Sequence, residues 1–269
     1  MKKPVQILAC FIALVLIAPL AIVVPMSFSS AASLEFPPPG WSAASYARFF
    51  ASPDWMGSLW HSVFIASCAT LIALALAIPA SFALVRHTFF GRGAFNLLLM
   101  MPMIVPQIVM ALGYYTYFGR LRMSQSFAAL IVAHACLALP VATLILTAAI
   151  KSFDRNLERA AMNLGARPLR TFFLVTLPVL RPAVMVAALF SFIQSFDEAV
   201  IAVFLAGPDT GTLPRQMFNS FRMEADPVIS AASSFLLALV CAAIFAPLAV
   251  RLVRRRLTVA PVAPGAVRS

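Results

Sequence analysis

Six long apolar stretches, separated by short polar segments, dominate the pattern of this chain. They cover residues 4–28, 61–85, 94–118, 125–150, 183–206 and 228–250. Each has about 20 residues or more, the length that an α-helix needs to cross the hydrocarbon of a bilayer. Because a segment in lipid must satisfy its backbone hydrogen bonds internally, the pattern predicts an all-α, multi-pass membrane protein with six transmembrane helices.

The composition agrees with a location in a membrane. Hydrophobic residues make up 62% of the 269 residues and charged residues only 11%, with a mean hydropathy of +0.95. A soluble domain has roughly 25% charged residues. The first apolar stretch is longer than the core of a signal peptide, about 7 to 15 residues, so we expect an uncleaved span. All four cysteines lie in apolar stretches, and we expect neither a disulfide framework nor a metal site.

The net charge of +11 is distributed unevenly among the segments that join the stretches. With the N-terminus inside, fifteen of the 20 Lys and Arg residues fall on the inner side and five on the outer side. Inner segments of membrane proteins carry the excess of Lys and Arg, so we expect both termini in the cytoplasm. The basic charge therefore orients the protein, and nucleic acid is not an expected partner.

The segment between the fourth and fifth stretches contains residues that typically begin and end the two helices of a helical hairpin. Asp154 is suited to cap a first helix, and Gly165 is suited to end it in the left-handed conformation. Pro168 fits the first turn of a second helix, which Pro178 and Pro182 are expected to end before the chain re-enters the membrane.

This hairpin resembles the EAA loop of the permeases of bacterial ATP-binding-cassette importers. That motif reads Glu-Ala-Ala, three residues, Gly, nine residues, Ile, one residue, Leu-Pro. The matching positions are Arg159, Ala160, Ala161, Gly165, Val175, Leu177 and Pro178. Two of them depart from the motif: Arg159 stands where glutamate is usual, and Val175 replaces isoleucine.

The resemblance implies a type I importer transmembrane domain over residues 1–269, with a cytoplasmic coupling loop at 151–181. The motif positions, together with Glu158, would couple to a separate ATP-binding cassette ATPase. ATP and Mg²⁺ would be bound by that ATPase dimer, and the chain itself would hold no cofactor and would not be an enzyme. In keeping with this, the glycine-containing segment 207–212 lacks the lysine of a phosphate-binding loop.

Two carboxylates, those of Asp197 and Glu198, interrupt the fifth apolar stretch. An Asp at the centre of a spanning helix costs about 2.5 to 3.5 kcal/mol on insertion scales, so these groups should face a bundle interior or a wet path. Helical spacing places Ser191, Gln194, Ser195 and Glu198 on one polar stripe. Such a stripe is either the cation-attracting wall of a translocation path or a cluster of interhelical hydrogen bonds.

The run Ser195-Phe196-Asp197-Glu198, followed by Gly207-Pro208, resembles the fifth span of spermidine/putrescine permeases of the second-subunit type. The segment 34–40 is also common in that group. The resemblance implies a polyamine, or a related small amine-bearing solute, that an external binding protein delivers to two permease subunits in the bacterial cytoplasmic membrane. The candidate pathway residues are Gln107, Gln194, Ser195, Asp197 and Glu198, and many relatives have an acidic residue where this chain has Gln107.

Other functions stay open at this point. Close relatives import other small solutes, such as amino acid derivatives and aminophosphonates. A secondary transporter would use the two carboxylates as a proton relay, and an intramembrane enzyme would use them as an acid–base pair, but neither needs a cytoplasmic docking hairpin. A homodimeric and a heterodimeric pair of permease subunits are both compatible with the sequence.

Overall fold

The computed structural model describes residues 2–31, 33–223 and 226–242, and the elements in them are helical. The chain forms two compact units, one of residues 53–219 and one of residues 1–52 with 220–269. In chain order the helices are α1 (Lys2–Ser27), α2 (Ala44–Ala51), α3 (Pro53–Arg86), α4 (Arg92–Ile104), α5 (Gln107–Arg120), α6 (Phe127–Ser152), α7 (Asn156–Asn163), α8 (Pro168–Thr171), α9 (Leu177–Phe196), α10 (Val200–Leu205), α11 (Leu213–Met223) and α12 (Val228–Ala242).

The apolar helices confirm the all-α membrane class but not the count of six spans. Four are long and apolar enough to cross a membrane, namely Val5–Ser27, Pro53–Arg86, Phe127–Ser152 and Pro168–Phe196. The pair α4 and α5 gives a fifth if it counts as one broken span. Helix α12 is shorter, and the end of the sixth predicted stretch, 243–250, lies outside the described residues.

The third predicted stretch is not one straight helix, because α4 and α5 meet at an angle of 102°. The break falls at Val105 and Pro106, both of which have extended backbone. A proline disfavours helical backbone in the residue before it and has no N–H to donate, so α4 ends and a new helix begins at Gln107. This break decides which way the side chain of Gln107 points.

The expectation that Pro178 and Pro182 end the second hairpin helix is wrong. The helix runs from Pro168 to Phe196 without a stop and includes a π-helical segment at Phe172–Thr176. Pro178 lies in the first turn of α9, directly after this wider segment, and Pro182 is accommodated inside α9. A π-helical turn takes up the local change in hydrogen bonding, so the chain continues as one helix.

Small residues allow the helices at the centre of unit 53–219 to approach closely. Helix α3 packs along α6, and both pack on α9. Alanines fill the contact and are completely buried, as at Ala69, Ala73 and Ala77 of α3 and Ala133, Ala138 and Ala142 of α6. Helices in lipid gain little from the hydrophobic effect and associate through such tight contacts.

A second apolar cluster sets α10 beside α5. Ile201 and Leu205 of α10 join Ala111 and Phe118 of α5, with Leu130 of α6 behind them. All are buried. This packing brings the start of α10 next to the start of α5 and so determines the position of the candidate site.

The unit of residues 1–52 and 220–269 has its own contacts. The hydroxyl of Ser27 lies 2.9 Å from that of Tyr46, which joins α1 to α2. The rings of Phe49 and Phe50 contact Phe235 of α12 at centroid distances of 5.8 and 5.4 Å.

The close approach of α3 and α6 predicts a position-specific effect of side-chain size. Ala73→Leu puts a large side chain into a filled contact, and overpacking costs about 1 to 3 kcal/mol. The matched control is Ala75→Leu, because Ala75 lies on the exposed side of the same helix. We expect the thermal unfolding midpoint of the detergent-solubilised protein to fall for the first variant only. Equal midpoints would show that this contact does not hold the helices together.

Candidate functional site

The hairpin, residues 151–181, has two of the signals that its sequence predicts, the left-handed glycine after the first helix and the proline at the start of the second. Helix α7 ends at Asn163, and Gly165, two residues later, has a left-handed φ of +87°. The Gly165 amide donates to the carbonyl of Met162 at 2.9 Å. Pro168 opens α8 at its first turn. Asp154, which the sequence predicts to cap the first helix, is not its N-cap, because that position is taken by Arg155. The carboxylate of Asp154 accepts a hydrogen bond from the amide of Asn156 at 2.9 Å.

Glu158 does not face outward from the hairpin. Its carboxylate accepts two hydrogen bonds from Nη1 of Arg86, at 2.6 and 2.9 Å, and a third from the hydroxyl of Thr176. The two charged side chains are only 16% and 13% exposed. The Arg86 guanidinium also lies 4.7 Å from the ring centre of Phe82 and 5.5 Å from that of Phe153, both within cation–π range. Glu158 therefore fastens the hairpin to the end of α3.

Sequence reasoning missed Arg86. It lies 72 residues before Glu158, and the hairpin motif gives no indication of a partner so far away along the chain.

The hairpin also contains a groove of about 320 Å³. Of the eight predicted coupling residues, Ala161, Gly165 and Val175 line it. Arg159 and Ala160 are exposed beside it, whereas Leu177 and Pro178 lie beyond it in α9. The groove is completed by Leu164, Ala166, Arg170, Thr171 and Leu174.

The predicted pathway residues gather around a cavity of about 220 Å³. Gln107, Gln194, Asp197 and Glu198 all line it, together with Ile193, Ala199 and Val200. Ser195 does not. It is buried, and its carbonyl and hydroxyl oxygens lie 3.0 and 2.9 Å from Nδ1 of His134. The structure thus unites four of the five predicted residues from two distant parts of the chain.

The single polar stripe predicted for the fifth stretch is wrong, because α9 ends at Phe196. Asp197 forms the C-cap, and a new helix, α10, begins only at Val200. Ser191 and Ser195 face the buried side of α9, whereas Gln194 faces the cavity. Glu198 follows the break and is not part of a helical stripe.

The two carboxylates at the break have different surroundings. Glu198 is 3% exposed, and its oxygens accept from the amide of Ile201 at 2.9 Å and from Nε2 of Gln107 at 3.0 Å. It caps α10 and ties the break after α9 to the break before α5. Asp197 is exposed and lines the cavity. The free negative charge at this cavity therefore belongs to Asp197.

Comparison with known proteins agrees with this architecture. Residues 73–259 match the family described as binding-protein-dependent transport system inner membrane component. The putrescine transport permease PotI of Escherichia coli (strain K12) is 32% identical over 229 residues, which cover 82% of this chain and 81% of the relative. The spermidine/putrescine permease PotC of Haemophilus influenzae is 30% identical over 200 residues, 74% of this chain and 78% of that one.

Two further proteins extend the comparison. The sulfoquinovosyl glycerol transport permease SmoH of Agrobacterium fabrum is 28% identical over 239 residues, covering 86% of this chain and 84% of its own. A solved chain of a bacterial ABC transporter involved in alginate import superimposes with a TM-score of 0.68 at 17% identity, covering 91% of this chain and 94% of that chain. The latter likeness shows the fold alone.

The family match spans more than half of the chain, and two relatives reach 30% identity over most of it. The chain therefore belongs to the binding-protein-dependent transport system inner membrane components, as a multi-pass permease similar to the spermidine/putrescine permeases.

Proposed function

We propose that this permease works in an ATP-driven importer for small amine-bearing solutes of the polyamine class and moves them by alternating access. One observation carries the proposal. A single helix, continuous from Pro168 to Phe196, joins the exposed hairpin at one end to the solute cavity at the other. At about 1.5 Å per residue it is roughly 43 Å long. Movement of the hairpin is thereby passed to the cavity by a rigid element.

The expected partners follow from the two ends of this helix. An ATPase dimer, which binds ATP and Mg²⁺, docks at the groove between α7 and α8. A second permease subunit completes the path, and an external binding protein delivers the solute. No step of ATP hydrolysis is assigned to the permease itself.

The helix breaks at the cavity support this proposal. Two helix breaks meet there, one at Pro106 and one at Asp197, and the hydrogen bond between Gln107 and Glu198 joins them. Irregular backbone at membrane depth is tolerated where it is buried in protein or lines a cavity, and discontinuous helices hold the substrate sites of many transporters.

Asp197 is the group that we assign to recognition of the solute. A carboxylate attracts an ammonium group by its charge and by charge-assisted hydrogen bonds, which are stronger in a partly dry cavity than in water. PotI and PotC are named for the transport of putrescine and spermidine. Because Glu198 is already bonded and Gln107 is neutral, a solute with a single amino group is the second candidate.

The left-handed turn at Gly165 predicts a specific loss of coupling. Gly165→Val strains the turn by about 1 to 2 kcal/mol, although a side chain there would meet open space. We expect membrane insertion to be normal. Transport should fall roughly tenfold, and so should the ATP hydrolysis that the binding protein stimulates. Both are measured in vesicles that contain the whole transporter.

Gly91 offers a matched control for this variant. Its φ of +80° is also left-handed and its surroundings are also open, but it precedes α4 and is not part of the hairpin. Gly91→Val should bring similar strain and leave coupling intact. Full transport by Gly165→Val at normal abundance would argue decisively against the role of the hairpin.

The ion pair of Glu158 and Arg86 should behave as one unit in a double-mutant cycle. Breaking a buried pair by removing one partner costs about 3 to 5 kcal/mol, because the other charge stays buried. This pair retains some exposure, so we expect the lower end of that range. Glu158→Ala and Arg86→Ala should each lower the unfolding midpoint and the solute transported per ATP, and the double variant should be no worse than either. Additive losses would show that the two residues act separately.

Asp197→Asn should weaken the uptake of a cationic solute without loss of protein, because the amide keeps the shape and removes the charge. Glu198→Gln should have a smaller effect on the Michaelis constant, since its oxygens serve the protein itself. The control is Asp154→Asn, the same change at an exposed aspartate between α6 and α7 that does not line the cavity. Uptake of putrescine by vesicles containing the whole transporter measures all three. An unchanged Michaelis constant in Asp197→Asn would return Asp197 to a structural role.

A further inference from the structure

The hairpin carries far more positive than negative charge. Its two carboxylates are those of Asp154 and Glu158, and its cations are Lys151, Arg155, Arg159, Arg167, Arg170 and Arg181. The structure shows how much of this charge is already neutralised within the protein and how much is left for a partner.

Neither carboxylate is available at the groove. Glu158, next to the position where the coupling motif has its glutamate, is held by Arg86 and Thr176 and is 13% exposed. Asp154 is bonded to the amide of Asn156 and does not line the groove. Glu158 therefore cannot replace the motif glutamate that Arg159 displaces.

The cations around the groove are free to meet a partner. Arg170 lines the groove. Arg159 and Arg167 are exposed and lie close in the chain to the lining residues Ala161 and Ala166. Among the residues that the structure describes, none of these three forms an ion pair. The concave centre is largely apolar, and Leu164 and Leu169 at the turn are 90% and 75% exposed.

We propose that the ATPase that docks on this hairpin presents carboxylates to Arg159 and Arg170, around an apolar segment that fills the groove. This inference rests on the proposed function. Like charges set against each other across an interface repel, so a basic ATPase surface would be rejected, whereas an acidic one both steers and orients the docking. A concave groove also suits an inserted protein segment better than the flat layer of lipid phosphates.

Carbodiimide cross-linking tests the chemistry of the partner directly, because this reagent joins a lysine amine only to a carboxylate in contact with it. The experiment uses the complete transporter with its ATPase, carrying Arg159→Lys or Arg170→Lys. Both variants keep the positive charge that the proposed contact requires, and co-purification of the ATPase shows that each complex is assembled. The control is Arg92→Lys, since Arg92 is an exposed cation at the start of α4, outside the hairpin.

We expect both introduced lysines to form cross-links to Asp or Glu side chains of the ATPase, identified by mass spectrometry, and at least fivefold more product than with Arg92→Lys. An assembled transporter, with its ATPase bound, that gives no such cross-links, or links only to the other permease subunit, overturns the inference. Equal yields from the control overturn it as well, because they indicate charge that is unrelated to docking. Transport that does not need an ATPase contradicts the proposed function, and this outcome is read from the transport assay and not from the cross-links.

Discussion

The absence of water from the hydrocarbon of a bilayer is the constraint on which this structure depends. Every backbone N–H and C=O at that depth needs a partner inside the protein, so the chain is helical and its interruptions must be compensated locally. The break after Phe196 shows how this is done. Asp197 donates its amide to the carbonyl of Ile193, and Glu198 accepts from the amide of Ile201 at the start of the next helix. Glu198, a candidate pathway residue, thus also supplies a hydrogen bond that the backbone needs at this break.

The same constraint explains why the two breaks occur together. Pro106 separates α4 from α5, and Gln107, the first residue of α5, donates a hydrogen bond from its side chain to Glu198. Each break supplies a polar group that the other needs. The cavity between the two breaks is therefore polar, but the carboxylate of Glu198 is already bonded within the protein. Asp197 supplies the exposed carboxylate of the cavity.

Charge is handled differently at the two ends of the long helix. At the hairpin, Arg86 and Glu158 neutralise each other in a partly buried pair, with aromatic rings against the guanidinium. Such a pair gives little net stability but fixes the geometry, because separating the two side chains would leave each as an uncompensated, partly buried charge. The remaining cations point outward. The hairpin is consequently a firmly attached surface with a positive rim.

The sequence by itself determined the membrane class, the hairpin and its left-handed stop, because apolar length and Gly–Pro punctuation act over short distances along the chain. It also identified Gln107, Gln194, Ser195, Asp197 and Glu198 as candidate pathway residues, and all of these except Ser195 line one cavity. Only the tertiary structure decided the surroundings of each. The predicted polar stripe required an uninterrupted helix through Glu198. The neighbouring residues give no signal of the break, which is stabilised by Gln107 from another helix. The continuation of the helix through Pro178 and the pairing of Glu158 with Arg86 likewise depend on contacts between residues far apart in the chain, which a pattern of neighbouring residues does not contain.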